Sequence, residues 1–287
     1  MSAQTADDQP VTARLATPLK ASDAALARIS GRRGALARRE PVLIGVGAVV
    51  VFLAVWQGVA SARLVSELFL PGPYDIALAE ADYVRSEGFI LDLATSGQEL
   101  LLGFGLAVVV GLPVGLAMGW YRRVHYALDP FISFFYSTPR IALLPLLIIW
   151  LGIGIWSKVA VIYLGAFFPI ALNTFAGVRS LDPLLLKAAR AFGAGDAQIF
   201  RTIALPGSVP FIITGLRLGV GHALIGIVVG ELVAAQHGVG QAMSVFGATF
   251  QTPKVFAALL IIAGAGVAFQ ILLQRLERRF DAWRPRP

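Results

Sequence analysis

Apolar residues in this chain fall into long unbroken runs rather than into short alternations, and the runs are Val42 to Ala60, Leu100 to Trp120, Phe131 to Ile155, Val159 to Val178, Phe211 to Ala235 and Val255 to Leu273. Each approaches the roughly 20 residues that a helix needs to cross a hydrocarbon core of about 30 Å. The pattern predicts an all-α integral membrane protein with six transmembrane helices. Between the fourth and fifth runs lies a stretch with a different pattern, DPLLLKAARAFGAGDAQIFRTIALP, from Asp182 to Pro206. Asp182 and Pro183 form a helix start, a side-chain cap followed by a residue with no N–H to lose. Leu184, Leu185, Ala188, Ala189 and Phe192 then recur at helical spacing, with Lys187 and Arg190 outside the stripe. Gly193 stands where a left-handed C-cap is wanted, and Asp196 is placed to cap a second short helix, Ala197 to Ile203, closed by Pro206. Helices this short are marginal in water, so a partner must cover their apolar face.

Composition agrees: 57% of the 287 residues are hydrophobic and 14% charged, against about a quarter charged in a soluble domain. The net charge of +7 is explained by where it sits. Arg32, Arg33, Arg38 and Arg39 precede the first run, Arg122 and Arg123 follow the second, and Arg179, Lys187, Arg190 and Arg201 lie between the fourth and fifth. Arg275, Arg278, Arg279, Arg284 and Arg286 follow the sixth. Residues 61 to 94 are instead acidic, with Glu67, Asp75, Glu80, Asp82, Glu87 and Asp92 against Arg63 and Arg85. By the positive-inside rule both termini and the 180–207 loop are expected in the cytoplasm, and residues 61 to 94 outside. Residues 1 to 41 read as a disordered basic cytoplasmic tail and 42 to 287 as the membrane domain. No apolar core lies near Met1, so a cleaved signal peptide is not expected.

Ionisable residues inside the runs are few: Arg140, Arg217, His222 and Glu231, with Asn173 as a neutral companion. Charge inside a bilayer is costly, so each is a candidate pathway residue by default. Arg217 is close enough to the cytoplasmic end to snorkel, and Glu231 is close enough to the outer end to reach water. Arg140, near the middle of its run, is the best pathway candidate. Gly111, Gly115 and Gly119 in the second run, and Gly215, Gly219, Gly226 and Gly230 in the fifth, mark close helix packing. Pro113, Pro139, Pro145 and Pro169 interrupt their runs, and breaks of this kind survive only where neighbours or a cavity satisfy the freed carbonyls.

Other functions are disfavoured. The chain has no cysteine, and His125, His222 and His237 are scattered, so neither catalytic nor metal-binding residues are expected. No aromatics interleave with the arginines as nucleic-acid binding would want. GIGIWSK at 152 to 158 lacks the second glycine of a P-loop. A secondary transporter would want inverted repeats or acidic mid-membrane coupling sites, and Glu231 is alone.

The spacing K-A-A, three residues, Gly193, nine residues, Ile203, one residue, Leu205-Pro206 resembles the EAA loop of bacterial ABC-importer permeases, with Lys187 where that family usually has glutamate. PRIALLPLLIIWLGIG at 139 to 154, FFPIALNTFAGVRSLDP at 167 to 183 and LRLGVGHALIGIVVGEL at 216 to 232 are similar to permeases of the nitrate/sulfonate/taurine group. The resemblance implies a non-catalytic six-helix subunit in a bacterial inner membrane, paired with a second permease copy in what is expected to be a homodimer. It also implies a cytoplasmic ABC ATPase dimer that binds the ATP, and an extracytoplasmic solute-binding protein. Lys187, Ala188, Ala189, Phe192, Gly193, Ile203, Leu205 and Pro206 would then form the ATPase-coupling loop, and Arg140, Asn173, His222 and Glu231 would contribute to the pathway. The solute expected is a small anion of the nitrate, sulfonate or taurine type. Bicarbonate, an aromatic acid or a thiamine-precursor pyrimidine is the alternative.

Overall fold

The computed structural model describes the backbone of residues 19–278 and the side chains of residues 40–275. Every regular element among the described residues is helical. The chain divides into two units, at Leu64 and Val65.

The first unit is α1, Leu19–Ser61, a 43-residue helix with Pro41 inside it. Its apolar part, Glu40–Ser61, is long enough to cross a membrane, and Val46, Val49, Val50 and Phe52 stand exposed along it. The first 18 residues of the expected unstructured tail lie outside the described residues. From Leu19 onward the backbone is helical, which suits a segment rich in alanine, the strongest helix former.

The second unit begins with α2, Pro73–Val84. Asp75 caps it by accepting the Gly72 N–H at 3.2 Å. α3, Phe89–Trp120, starts well before the apolar run at Leu100 and contains Pro113 without breaking. α4 spans Arg122–Ser137 and α5 spans Leu144–Leu151, joined by Thr138, Pro139 and a single 3-10 turn, Arg140–Leu143. The segment expected as one straight span is therefore two helices, bent by 89°. The cause is local: a residue before proline is driven out of the helical region, and Thr138 is extended at φ −76°, ψ 132°. Arg140 thus sits at a bend rather than in mid-helix.

α6, Ile155–Arg179, carries Pro169. α7, Pro183–Ala191, and α8, Asp196–Ile199, form the elbow, and a π turn, Phe200–Ala204, joins α8 to α9, Leu205–Ala234. α10, Val239–Ala248, and α11, Thr252–Arg278, complete the described elements. Among the described residues five helices are long and apolar enough to cross a membrane, or six when the bent pair counts as one.

α6 is the centre of this unit and packs most extensively against α9 and α3. Ala107, Ile162, Ala166, Ile170, Val220, Ala223 and Ile227 form the buried seam between the three. Lipid tails are as apolar as the seam itself, so helices here gain from close contact rather than from leaving water. The glycine stripes supply that contact. A Cβ on Gly115 would fall 2.4 Å from the Ala171 carbonyl, and one on Gly119 would fall 2.5 Å from Val178. On α9, Gly215 and Gly219 meet Pro169 to Asn173 and Ala166 to Ile170, while Gly226 meets Ile162 and Gly230 meets Lys158. Both stripes therefore face α6.

Candidate functional site

At the elbow, Asp182 caps α7 by accepting the Leu184 N–H at 2.7 Å. The helix ends in a Schellman motif: Gly193 donates to the Arg190 carbonyl at 2.9 Å and Ala194 to the Ala189 carbonyl at 3.0 Å. Gly193 has φ +85°, as its place in the pattern demands, and nothing lies within 4 Å of the position its Cβ would take. Backbone conformation alone selects glycine there. The α7 stripe is bare: Phe192 is 92% exposed and Leu184 72%, with Leu185, Lys187 and Ala188 also exposed and Ala189 half-buried.

The second helix differs from expectation. Its N-cap is Gly195 rather than Asp196, and Asp196 instead lies 3.5 Å from Arg190 across the elbow. Pro206 does not close it. Proline is tolerated in a first turn, and a wider turn before it, with the Leu205 N–H bonded to the Phe200 carbonyl, carries the chain straight into α9. Ile203 and Pro206 are half-buried on this continuous helix, and Leu205 is 37% exposed.

The bend between α4 and α5 forms one wall of a cavity of about 360 Å³, lined by Tyr136 to Ile141, Val161, Gly165, His222, Ile225 and Gly226. Pro169 has no N–H, so the Gly165 carbonyl one turn earlier has no intrahelical donor. Arg140 Nη1 lies 3.4 Å from it, and Nη2 lies 3.4 Å from the Tyr136 carbonyl. These are long contacts. The guanidinium also lies 5.1 Å from the ring centroids of both Tyr136 and Phe168. His222 is exposed, with Nδ1 2.9 Å from the Leu218 carbonyl. Asn173 is tied by its Nδ2 to the Pro169 carbonyl at 2.8 Å and does not line this cavity. Arg140 and His222 are brought together, and Asn173 lies one turn beyond Pro169. Arg217 is half-buried.

Glu231 does not reach water. It is 1% exposed and belongs to a buried polar cluster that the spacing of the sequence concealed. Glu231 accepts from Ser96 Oγ at 2.6 Å and from the Gly240 N–H at 2.6 Å. Ser96 in turn accepts from the Val239 N–H at 2.9 Å. Beside it Lys158 Nζ lies 2.9 Å from Glu99 Oε1, with Lys158 4% and Glu99 0% exposed. Gly238, at φ +132°, wraps so closely over Glu231 that a Cβ would lie 2.5 Å from its carboxyl carbon. Further out, Asp92 accepts from the Gly238 N–H at 3.0 Å and from Tyr83 Oη at 2.9 Å. Burial and the Asp92 carboxylate push the Tyr83 phenol well above its ordinary value. The cluster ties the α9–α10 connection to α3, and the Lys158–Glu99 pair ties α3 to α6. Its signal in sequence was weak, because Glu99 and Lys158 each stand one residue before an apolar run and read as span boundaries.

Residues 107–282 match the family described as binding-protein-dependent transport system inner membrane component. The chain belongs to this family. It is 37% identical to the taurine transport system permease protein TauC of Escherichia coli (strain K12), over 84% of this chain and 90% of that one. It is 36% identical to the putative aliphatic sulfonates transport permease protein SsuC of Bacillus subtilis (strain 168), over 82% and 85%. Against the formylaminopyrimidine transport permease protein ThiX of Halalkalibacterium halodurans it is 33% identical, over 82% and 93%. Among solved structures, the MetNI methionine ABC transporter in its inward-facing form matches with a TM-score of 0.56 at 22% identity, over 70% of this chain and 100% of that one. That likeness is one of fold. This permease is thus a multi-pass inner-membrane subunit of an ABC importer and carries no catalytic site, while hydrolysis of ATP and capture of solute belong to separate subunits of such importers.

Proposed function

We propose that this permease forms the translocation pathway of an ATP-driven importer for a small anionic solute bearing a sulfonate or similar group. Arg140 carries the reading. It is a half-buried cation in a cavity at a helix bend, and its hydrogen bonds to the protein are long enough to be exchanged for a ligand's. Charge inside a membrane domain is retained where it is used, and a guanidinium pairs well with planar or tetrahedral oxyanions. Relatives named for taurine and for aliphatic sulfonates agree with this class. The relative named for a formylaminopyrimidine points to a second reading, in which a planar solute stacks on Tyr136 in the same cavity.

In the same proposal the exposed α7 face and the Gly193 turn dock into a cytoplasmic ATPase, with Lys187, Ala188, Ala189 and Phe192 at the contact and Ile203, Leu205 and Pro206 leading into α9. A second copy of the chain completes the pathway. Both termini and the elbow lie in the cytoplasm, and residues 61 to 94 lie outside, where a solute-binding protein delivers its cargo.

The test is Arg140→Gln in the reconstituted complex. Uptake of a sulfonate should fall at least tenfold while ATPase and permease still co-elute. Undiminished uptake removes Arg140 from the pathway and the anion reading with it. If uptake of a neutral pyrimidine exceeds that of the sulfonate in the unaltered complex, the second reading replaces the first.

A further inference from the structure

Two cavities adjoin where α3 ends and α8 begins. The larger, about 680 Å³, is lined by Pro113, Leu116, Ala117, Ala197 and Phe200, and by Arg201. The smaller, about 370 Å³, carries Arg179 and Arg190. Trp120, Tyr121 and Asp196 line both. The larger compartment is thus mostly apolar with one arginine, and its neighbour carries two.

The charges do not balance. Asp196 is the one carboxylate of the two linings and lies 3.5 Å from Arg190. Arg179 and Arg201 have no acidic partner among the described residues. Arg179 lies over the Phe175 ring at 5.7 Å, and Arg201 is exposed in the π turn. That turn also holds Phe200 edge-on to Trp120, with ring centroids 5.3 Å apart, so the aromatic divider between the compartments is itself fixed.

We propose that this paired cavity binds one anionic phospholipid of the cytoplasmic leaflet, its acyl chain in the larger compartment and its phosphate on Arg201 and Arg179. The choice of leaflet rests on the orientation proposed above; the binding itself does not. Trp and Tyr at the end of an apolar span mark the level of the headgroups, so lipid is already present there. A small free anion has no use for the apolar compartment, and an uncharged molecule leaves two arginines unmatched. Basic pockets between spans on the cytoplasmic side are suited to anionic headgroups, and the larger volume is typical of pockets that enclose a ligand. Lys187, Ala188, Ala189 and Phe192 of the proposed ATPase contact line neither cavity, although Arg190 and Asp196 of the same elbow do.

The full-length chain, purified in detergent and stripped of lipid, would be titrated with phosphatidylglycerol and with phosphatidylcholine, and bound lipid counted by native mass spectrometry. Phosphatidylglycerol should be retained at least fivefold better. Arg201→Gln should weaken its binding about fivefold, the effect of one cation near a charged headgroup, and leave phosphatidylcholine unchanged. Ala117→Phe, which fills the larger compartment, should abolish retention of both. If that variant elutes abnormally, Ala197→Leu on the facing wall tests the same space. Equal retention of the two lipids overturns the proposal, as does indifference of phosphatidylglycerol binding to Arg201→Gln. Displacement of phosphatidylglycerol by millimolar inorganic phosphate overturns it too, by making the site one for a free anion. Because binding is read in detergent, a wrong orientation or a failed transport assay leaves the result interpretable.

Discussion

Lys158→Met is the perturbation that tests the buried Glu99–Lys158–Glu231 cluster most directly. Lys158 Nζ lies 2.9 Å from Glu99 Oε1, and neither side chain meets solvent. The substitution keeps most of the side-chain volume and leaves Glu99 and Glu231 buried without their cation. Removing one partner of a buried ion pair typically costs about 3–5 kcal/mol, because the remaining charge keeps its desolvation penalty. Replacing both partners by apolar groups of like shape is often close to neutral. Glu99→Leu combined with Lys158→Met should therefore be more stable than Lys158→Met alone, although it alters more atoms.

The assay is the thermal stability of the detergent-solubilised chain, followed by the fraction that still elutes as a single species after heating. A double-mutant cycle over Glu99 and Lys158 then isolates the coupling. The expected order is wild type and double variant close together, with Lys158→Met well below both. Should Lys158→Met melt with the wild type, or the double variant fall below both singles, the pair contributes nothing of the kind argued, and the cluster would be a set of independently solvated groups.

Gly115→Ala should destabilise by about 1–3 kcal/mol, because its Cβ would press on the Ala171 carbonyl and on Thr174, whereas Gly105→Ala on the same helix meets nothing within 4 Å and should be neutral or mildly stabilising; parallel melts separate the two. Gly193→Val should lower transport without impairing membrane insertion, since a β-branched residue at φ +85° strains the turn by about 1–3 kcal/mol; wild-type uptake by the reconstituted variant would refute the coupling role. Single cysteines at positions 80 and 190 of this cysteine-free chain should react with an impermeant thiol reagent in intact cells at position 80 and not at 190, and the reverse result inverts the proposed orientation.

What could be read from the chain alone were features that a single physical effect decides. Hydrophobic length located α3, α6, α9 and α11, and the i+4 glycines on α3 and α9 anticipated contacts that proved to converge on α6. Gly193 was legible because a helix end with no side chain to spare leaves few alternatives. Failures came where two local rules competed. Asp196 and Gly195 were both acceptable caps, and the backbone placed the glycine outside and the aspartate in the first turn, facing Arg190. Pro206 was a plausible stop, but a π turn absorbed it. Pro139 announced an interruption without its angle, since 89° depends on how α5 packs against α6. Glu99, Lys158 and Glu231 lie on three helices, and only the assembled fold makes them neighbours.

The π turn has a mechanical consequence for the proposed coupling. A loop between the elbow and the fifth span would absorb displacement of α8. Instead, Asp196–Ala234 runs as 39 residues of helix without a non-helical break. A helix rises about 1.5 Å per residue, so the elbow and Glu231 are about 50 Å apart along one helix, and the Glu231 carboxylate is bound to Ser96 of α3 and to the Gly240 N–H. Along the way its glycines press on α6 at Ile162, Ile170 and Asn173. On the proposed coupling, a push on α8 would tilt or rotate α9 against α6, with the Glu231 cluster as the far pivot. His222 and Ile225 on α9 line the Arg140 cavity together with the α4–α5 bend, so on this proposal the same motion would change its width. A disulfide between cysteines introduced on α6 and α9 should then block transport while leaving solute-independent ATP hydrolysis intact, and uptake undiminished by such a cross-link would exclude α9 as the moving part.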